Sequence, residues 1–526
     1  MSESDPINDP LNNGPLTLET ASAATGATES PLIQRTARGF LWMLSQTIGV
    51  KIINVAGQII LARYLLTKQD FGLYALALTI SAFGGLFQQA GLNTILIHRG
   101  KEFDRWATPA FWMSTAYGMF GAVFMLACAP LAQRMYHQSP TLVALISILA
   151  LRCVIDAFSV VPIAKLEIDM RYRFVGLMGT ASNLFATAAM IVLAYFGFGA
   201  YSFVLPLPFA SAGRAAAAWL ATRPAVAWRP QFSLWGTLAK DSLTLLLTNV
   251  FFMVTSVGGT MVLGIFCPAA IVGLYAVASN FASQTGQLLT SNVGQVLLPA
   301  LTKVDTPERQ TQAFIDVAGL LTWVGVPTTV LQAVLARPII LLLFGPRWVS
   351  GAPILAIVSI GMGLHIANAP AVSLMRAQGR FRRMLWTGAA SACVYLPAII
   401  IGASIGGAVG VAWATTAYMG LFGFIWVTLV FGVSRAAVRM MGRIYLAPLA
   451  VSALAALPFV LVDRWTVVAS FPTFARIILA AVSTGALYIG ASSLLLPTRT
   501  KRFFALVRQT LLRSGTAAAG SAGNVA

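Results

Sequence analysis

Long apolar segments recur along almost the whole chain, and they limit the kind of fold that it can adopt. Residues 241–265, for example, read DSLTLLLTNVFFMVTSVGGTMVLGI, with Asp241 as the one charged residue. A helix needs about 20 mostly apolar residues to cross the hydrocarbon core of a bilayer. Of the 526 residues, 58% are hydrophobic and 10% are charged. A soluble core of about 250–300 residues could not bury so much apolar surface, so lipid must solvate most of the chain.

We predict about fourteen membrane-spanning helices and number them as spans 1 to 14. Their approximate ranges are 40–62, 71–97, 108–132, 141–161, 175–196, 200–221, 241–265, 271–298, 313–335, 351–373, 384–405, 407–431, 444–463 and 473–496. The apolar runs are continuous, whereas transmembrane strands alternate polar and apolar residues. The predicted fold class is therefore an all-α integral membrane protein.

The basic residues predict how the spans are oriented, because cytoplasmic loops of membrane proteins collect Lys and Arg. With a cytoplasmic N-terminus, about 25 of the 35 basic residues fall in cytoplasmic segments and about seven fall outside. An even number of spans keeps this alternation, so we expect both termini in the cytoplasm. The same bias accounts for the formal charge of +19, and we expect no nucleic-acid partner.

A short motif occurs twice and predicts an internal repeat. FGLYALALTI at 71–80 is followed, 201 positions later, by VGLYAVASNF at 272–281. The copies begin spans 2 and 8, which are six spans apart and therefore share one orientation. This relation is typical of parallel repeats about an axis along the membrane normal. At the same shift, Thr47 matches Thr248 and Asn54 corresponds to Thr255.

The repeat divides the chain into two six-helix lobes and an appendage. We predict a disordered acidic cytoplasmic tail at 1–36, an N-lobe of spans 1–6 at 37–221, and a cytoplasmic linker at 222–240. A C-lobe of spans 7–12 follows at 241–431, then the two C-terminal helices, spans 13 and 14, at 432–500, and a cytoplasmic tail at 501–526.

Polar residues follow one face of the first helices of each repeat. Lys51, Asn54 and Gln58 on span 1, like Asn280, Gln284 and Gln287 on span 8, have helical spacing. A lysine facing lipid costs about 2.5–3.5 kcal/mol, so we expect these faces, with Gln89 at the end of span 2, to line a cavity between the lobes. Alternatively, they join helices by hydrogen bonds worth about 0.6–2 kcal/mol each. The row on span 8 continues through Ser291 and Gln295, which favours a cavity.

Charged residues within the spans are functional candidates. Arg152 and Asp156 can pair on one helix face, either as a structural ion pair or in transport. Lys51 and Arg214 have no acidic residue close by in the sequence. Asp156, Asp241 and His365 are candidates for ion coupling, although a lone histidine is more often a hydrogen-bonded core residue.

Sequence motifs for catalysis are absent. The chain has no G-x-x-x-x-G-K-[ST] and no H-E-x-x-H or nucleophile elbow. We therefore predict a transporter rather than an enzyme, with no catalytic residues, no metal site and no cofactor.

Blocks along residues 37–500 resemble the polysaccharide transporter family of bacterial flippases, within the multidrug/oligosaccharidyl-lipid/polysaccharide exporter superfamily. The resemblance is to the branch that moves exopolysaccharide or O-antigen units. The blocks are ARGFLWMLSQ at 37–46, LARYLLTKQDFGLYALALTI at 61–80, GLNTILIHRGKE at 91–102, VGLYAVASNF at 272–281, VLLPALTKV at 296–304, FGPRWVSGAPIL at 344–355, RAQGRFRRML at 376–385 and GGAVGVAWATT at 406–416.

The resemblance implies fourteen helices in two V-shaped lobes that expose a cationic cavity alternately to the two sides of the bacterial inner membrane. The implied substrate is an undecaprenyl-diphosphate-linked oligosaccharide, for exopolysaccharide or lipopolysaccharide biosynthesis. Lys51, Arg63 and Arg214 are then candidates to attract the diphosphate, and the Asn and Gln rows to bind sugars. The expected partners are this lipid-linked substrate, the lipid bilayer and the polysaccharide polymerase or export machinery. The acidic tail departs from the family pattern.

Three alternatives stay open at this point. A drug exporter of the same superfamily would be expected to have acidic cavity residues for cationic drugs. A membrane-embedded polysaccharide ligase or polymerase would be expected to carry a large outer loop with catalytic residues. In a structural subunit of a synthesis complex, the polar rows would be helix contacts.

Overall fold

The computed structural model describes residues 49–88, 91–227, 230, 232–290, 297, 301, 306–431, 442–462, 472–495 and 500. Its long helices are 49–60, Lys68–Gln88, Phe103–Met135, Thr141–Ala157, Val160–Ile168, Tyr172–Tyr195, Pro206–Thr222, Trp235–Phe266, Ala269–Thr290, Pro307–Val334, Ala336–Leu343, Ala352–His365, Asn368–Ala377, Phe381–Phe431, Ala447–Val462 and Thr473–Leu495. Shorter helical pieces are Leu61–Leu65, Leu92–His98, Gly100–Glu102, Tyr201–Val204, Phe232–Leu234, Pro346–Gly351 and Gly442–Leu446.

The all-α class is confirmed, and the described part of the chain contains no strand. Among the described residues, ten helices are long and apolar enough to cross a membrane, or eleven if Thr141–Ala157 and Val160–Ile168, bent by 42°, count as one. The count of fourteen stays a prediction. Large apolar side chains such as Phe252, Ile405 and Leu494 are exposed around the bundle, which suits a surface solvated by lipid.

The longest helix, Phe381–Phe431, is two helices joined by a tight bend. Gly407 has φ 52° and ψ −132°, a non-helical conformation that glycine adopts at little cost. Gly402 and Gly410 lie against each other on the two sides of this bend. The helix therefore covers both spans 11 and 12 as a hairpin.

We call the end of the bundle with residues 65–68 and 266–269 the outer end, following the predicted orientation, and the opposite end the inner end. One buried apolar cluster at the outer end contains residues of both predicted lobes. Its members include Leu76 and Phe203 from the N-lobe and Val272, Tyr275 and Trp348 from the C-lobe. Burial of apolar side chains therefore joins the two lobes there.

The repeated motifs meet each other in this cluster. A Cβ atom on Gly72 would overlap the main chain of Ala269, and a Cβ atom on Gly273 would overlap the main chain of Lys68. Gly273 and Ala269 lie 201 positions after Gly72 and Lys68, so the two contacts are equivalent. We call these four residues the outer contact. Glycine at both motif positions lets the two main chains approach this closely.

Hydrogen bonds at the end of span 1 also join the two lobes, close to the outer contact. The last turn, Leu61–Leu65, is a π-helix, in which hydrogen bonds join residues five positions apart instead of four as in an α-helix. The carbonyl oxygen of Ala62 accepts hydrogen bonds from the side chains of Arg347 and, at 2.9 Å, Trp348. Arg63 donates to the carbonyl oxygen of Leu342.

At the inner end, the described residues form separate apolar clusters. One cluster contains Leu92, Phe103 and Trp106 of the N-lobe with Leu238 of the linker. Another contains Phe314 and other C-lobe residues with Ile444 and Tyr445, which lie at the start of span 13. The lobes therefore share a core at the outer end, and at the inner end the two clusters are distinct, although Leu238, at the start of helix Trp235–Phe266, belongs to the N-lobe cluster.

Spans 13 and 14 pack on span 9. Val451 and Tyr488 form a buried cluster with Trp323, and the Tyr488 hydroxyl donates to the carbonyl oxygen of Trp323 at 2.9 Å. The two C-terminal helices are therefore attached to the predicted C-lobe.

Gly72→Ala should destabilise the protein, whereas alanine normally stabilises a helix by about 0.8–1.0 kcal/mol over glycine. The added methyl group would push against the main chain of Ala269, and overpacking costs about 1–3 kcal/mol. Gly85→Ala is the matched control on the same helix, because its Cβ would meet no atom within 4 Å. Thermal unfolding of the purified protein should show a lower Tm for Gly72→Ala only, and equal Tm values for both variants would contradict the outer contact.

Candidate functional site

Lys51 lies on helix 49–60 and has an unpaired ammonium group. Its side chain is half-buried. The Nζ atom is buried and has no hydrogen-bond partner in the described part of the chain. A buried cation without a partner is costly, so this position favours an anionic ligand.

Two other polar residues of span 1 contact neighbouring helices. Asn54 Oδ1 accepts a hydrogen bond from the Thr187 hydroxyl of span 5 at 3.5 Å. Gln58 Oε1 accepts one from Gln284 Nε2 of span 8 at 3.3 Å. The second bond crosses between the predicted lobes and joins the two polar rows that the sequence singles out.

Asp156 lies between two arginines. Its Oδ2 atom accepts from Arg152 Nε at 3.2 Å, one turn away on the same helix. Its Oδ1 atom accepts from Arg214 Nη2 of span 6 at 2.7 Å. Two positive charges and one negative charge leave the group with one positive charge.

These charges are only partly buried. Side-chain exposure is 37% for Arg152, 34% for Arg214 and 17% for Asp156. Arg214 Nε is buried and has no hydrogen-bond partner in the described chain. Because a charge in hydrocarbon costs about 2.5–3.5 kcal/mol, we infer that the exposed parts face a polar cavity.

The depths of Lys51 and Arg214 in the bundle can be compared through span 5. Asn54, one turn from Lys51, contacts Thr187 of span 5. Ser182 of span 5 donates, at 3.3 Å, to a carbonyl one turn from Arg214. At 1.5 Å per residue, the two cations therefore differ by about 9 Å along the helix axis. We infer that Lys51, Asn54, Arg152, Asp156 and Arg214, on spans 1, 4 and 6, face one cavity, and we call this inferred site the basic pocket.

Other predicted site residues lie elsewhere or are not described. Arg63 is 12 positions from Lys51, roughly 18 Å along the helix, and it bonds the C-lobe at the outer end. Asn280 and Gln287 are exposed on helix Ala269–Thr290. Gln89 and the side chain of Asp241 lie outside the described residues.

His365 lies at a break in span 10, where helix Ala352–His365 ends and helix Asn368–Ala377 begins. His365 Nε2 and Asn368 Nδ2 are 3.0 Å apart. His365 Nδ1 and Asn368 Oδ1 are buried without a partner in the described chain. These residues are not in contact with the basic pocket through any hydrogen bond of the described residues.

Two features of the site are not evident from the sequence. Asp156 and Arg214 are 58 positions apart, so their ion pair has no local signal. The two donors to the Ala62 carbonyl lie in the FGPRW block at 344–348, and the only sequence signal for them is the family resemblance of that block.

Comparison with protein families gives one match, to the family described as "Polysaccharide biosynthesis protein", over residues 60–353. Among curated proteins, the chain is 26% identical over 361 residues to the succinoglycan biosynthesis transport protein ExoT of Rhizobium meliloti, covering 68% of this chain and 72% of the relative. It is 25% identical over 402 residues to the lipopolysaccharide biosynthesis protein WzxC of Escherichia coli, covering 72% and 77%.

Solved structures of transporters share the fold. Lipid II flippase MurJ in an inward closed conformation has a TM-score of 0.71 at 14% identity, over 86% of this chain and 98% of that chain. An inward-facing multidrug resistance MATE family transporter has a TM-score of 0.56 at 13% identity, over 75% and 95%. The chain is a multi-pass membrane protein with this transporter fold.

The Asp156–Arg214 pair should couple more strongly than the Asp156–Arg152 pair. The first joins two helices at 2.7 Å, whereas exposed pairs four residues apart on one helix contribute about 0.3–0.5 kcal/mol. We expect double-mutant cycles with Asp156→Asn, Arg214→Gln and Arg152→Gln to give a coupling on the order of 1 kcal/mol for the first pair. Unfolding midpoints of the purified variants measure this, and a larger coupling for Arg152 would contradict the assigned geometry.

Proposed function

The chain belongs to the polysaccharide biosynthesis protein family, and from this premise we propose that it is a flippase. Its substrate would be undecaprenyl-diphosphate-linked oligosaccharide repeat units, moved across the bacterial inner membrane by alternating access. The product would serve exopolysaccharide or lipopolysaccharide biosynthesis. The names of two relatives, a succinoglycan transport protein and a lipopolysaccharide biosynthesis protein, support this substrate class.

The basic pocket is the observation that carries the proposal. A diphosphate cannot enter hydrocarbon without groups that replace its water. The ammonium group of Lys51 and the Nε–H of Arg214 have no hydrogen-bond partner among the described residues, and guanidinium and ammonium groups bind phosphate strongly. We assign Lys51 and Arg214 to the diphosphate. Asp156 then holds Arg214 in position through its 2.7 Å bond.

The amide rows suit the sugar part of the substrate. Asn54, Asn280 and Gln287 are exposed, and each amide offers both donors and an acceptor. Sugar hydroxyls need such partners, because each unpaired hydroxyl costs about 2–7 kcal/mol away from water. The Gln58–Gln284 bond would open when a sugar takes its place.

The distribution of apolar cores supports alternating access. The lobes share a core at the outer end, whereas the inner end has two distinct clusters, with Leu238 at the start of helix Trp235–Phe266 in the N-lobe cluster. This arrangement suits a state that is closed outside and open to the cytoplasm, where lipid-linked precursors are assembled. Arg63 donates a hydrogen bond to the carbonyl oxygen of Leu342. It would help to hold the outer end closed and would not bind substrate in the basic pocket.

We assign ion coupling to a residue that lies outside the basic pocket. Asp156 accepts bonds from two guanidinium groups, so we assign it to positioning. His365, with Asn368 at the break in span 10, stays our candidate for coupling. We propose a transporter without catalytic residues.

Lys51→Met should reduce polysaccharide export, since it removes the charge and keeps the length of the side chain. A lost charge-assisted bond of about 1.5–3 kcal/mol corresponds to roughly 10–100-fold in affinity. We expect a deletion strain that carries this variant to accumulate lipid-linked oligosaccharide in the cytoplasmic leaflet. Quantifying surface polysaccharide and leaflet-resolved precursor measures the effect.

Lys51→Arg, which keeps the charge, should restore most of the export. Ile52→Ala is the matched control, because Ile52 is the adjacent residue and is exposed. Both variants must reach the membrane at the normal level. Normal export by Lys51→Met would remove Lys51 from the site, and normal surface polysaccharide in the deletion strain would refute the flippase proposal.

A further inference from the structure

Both lobes contain the same turn at the inner end, between spans 4 and 5 and between spans 10 and 11. Met170 and Gly379 adopt the left-handed conformation, with φ of 55° and 66°. The next residues, Arg171 and Arg380, each donate their main-chain N–H to the carbonyl five positions earlier, at 2.9 Å in both turns. This hydrogen-bond pattern ends the preceding helix in both lobes.

The residues after each left-handed position also match. Residues 171–173 read RYR and residues 380–382 read RFR, and a further arginine, Arg383, follows the second. The shift between the turns is 209 positions (379 minus 170), which differs from the 201 of the G-L-Y-A motif. The repeat at the 201-position shift therefore does not align these two turns with each other.

The arginine side chains of the C-lobe turn are more available to bind a ligand than those of the N-lobe turn. Arg376, Arg382 and Arg383 are exposed and Arg380 is half-exposed. The side chains of these four arginines, which we call the arginine turn, make no ion pair within the described chain. In the N-lobe turn, by contrast, Arg171 donates to the carbonyl oxygen of Ala221 at 3.2 Å.

Neither helix stability nor orientation accounts for this pattern. Arg380, Arg382 and Arg383 lie at the first turn of helix Phe381–Phe431, where the helix dipole disfavours a cation, whereas Arg376 lies in the last turn of helix Asn368–Ala377, where the dipole favours one. Orientation in the membrane depends on the number of basic residues in a loop and does not require a repeated left-handed residue followed by Arg-aromatic-Arg.

An exposed tryptophan marks the depth of the arginine turn. Trp386 follows Arg382 by one helical turn, and 67% of its surface is exposed. Tryptophan side chains concentrate at the level of the lipid headgroups. The guanidinium groups therefore lie at the height of phosphate groups in the adjacent leaflet.

We propose that the arginine turn binds the headgroups of anionic phospholipids in the leaflet at the inner end. Guanidinium groups bind phosphate with two parallel hydrogen bonds, and basic side chains close to an anionic membrane surface are attracted to it. The N-lobe turn is the weaker counterpart. The pair attaches each lobe to the same leaflet. This proposal does not depend on the substrate or on the basic pocket.

The test measures binding of dioctanoyl phosphatidylglycerol to the purified full-length protein in neutral detergent. We expect it to bind more tightly than dioctanoyl phosphatidylcholine, and the binding to weaken when salt rises from about 0.1 M to 1 M, where screening is much stronger. Arg380→Gln/Arg382→Gln/Arg383→Gln should lower the affinity at least tenfold. Replacing the same residues with Lys should give an intermediate affinity, because lysine binds phosphate as a point charge.

The matched control is Arg435→Gln/Arg439→Gln/Arg443→Gln, which removes the same charge from the loop after span 12 and should change the affinity less than threefold. An equal loss in this control, equal affinity for the two lipids, or no effect of salt would overturn the proposal. Farnesyl diphosphate is a separate ligand in the assay. If the triple Gln variant loses farnesyl diphosphate binding and keeps phosphatidylglycerol binding, the turn binds prenyl diphosphate and the phospholipid assignment is wrong.

Discussion

The close approach of two main chains at Gly72 and Gly273 is the contact on which the arrangement of the lobes depends. Each glycine lies against the main chain of the opposite motif, at Ala269 and Lys68. Such packing needs small residues and gains energy from close contact along the helices. Because this contact and the shared apolar core close the outer end in this structure, a cavity would open toward the inner end, and alternating access would require the outer contact to separate in the opposite state.

The closed outer end also determines from which side the charged residues of the N-lobe would be reached. On the proposed function, a closed outer end would leave the basic pocket accessible from the inner side, and a charged pocket needs water or an anion there. Asp156 compensates one of two arginines and holds Arg214 at 2.7 Å. Lys51 is uncompensated among the described residues. The pocket is therefore partly balanced within the protein, and the remaining positive charge suits a ligand that carries phosphate.

The fold class follows from local properties of the sequence, and the partners of the site residues do not. Apolar runs and the G-L-Y-A repeat are visible along the chain, and the family resemblance is confirmed by the match over residues 60–353. Arg214 has no acidic residue close by in the sequence, and its partner in the structure, Asp156, is 58 positions away. Arg63 shares a helix with Lys51, but a π turn and the carbonyl of Leu342 direct it to the outer end. These contacts depend on packing between helices that no periodicity encodes.

The central claim is that the basic pocket is an aqueous site open to the inner side. The most direct measurement is labelling of Lys51→Cys, in a variant whose native cysteines are replaced by alanine, with a membrane-impermeant thiol reagent. The reagent is applied to inside-out and to right-side-out membrane vesicles. The account predicts rapid labelling in inside-out vesicles and slow labelling in right-side-out vesicles. Absence of labelling from both sides would place residue 51 in lipid or in a dry helix contact, and would contradict the account.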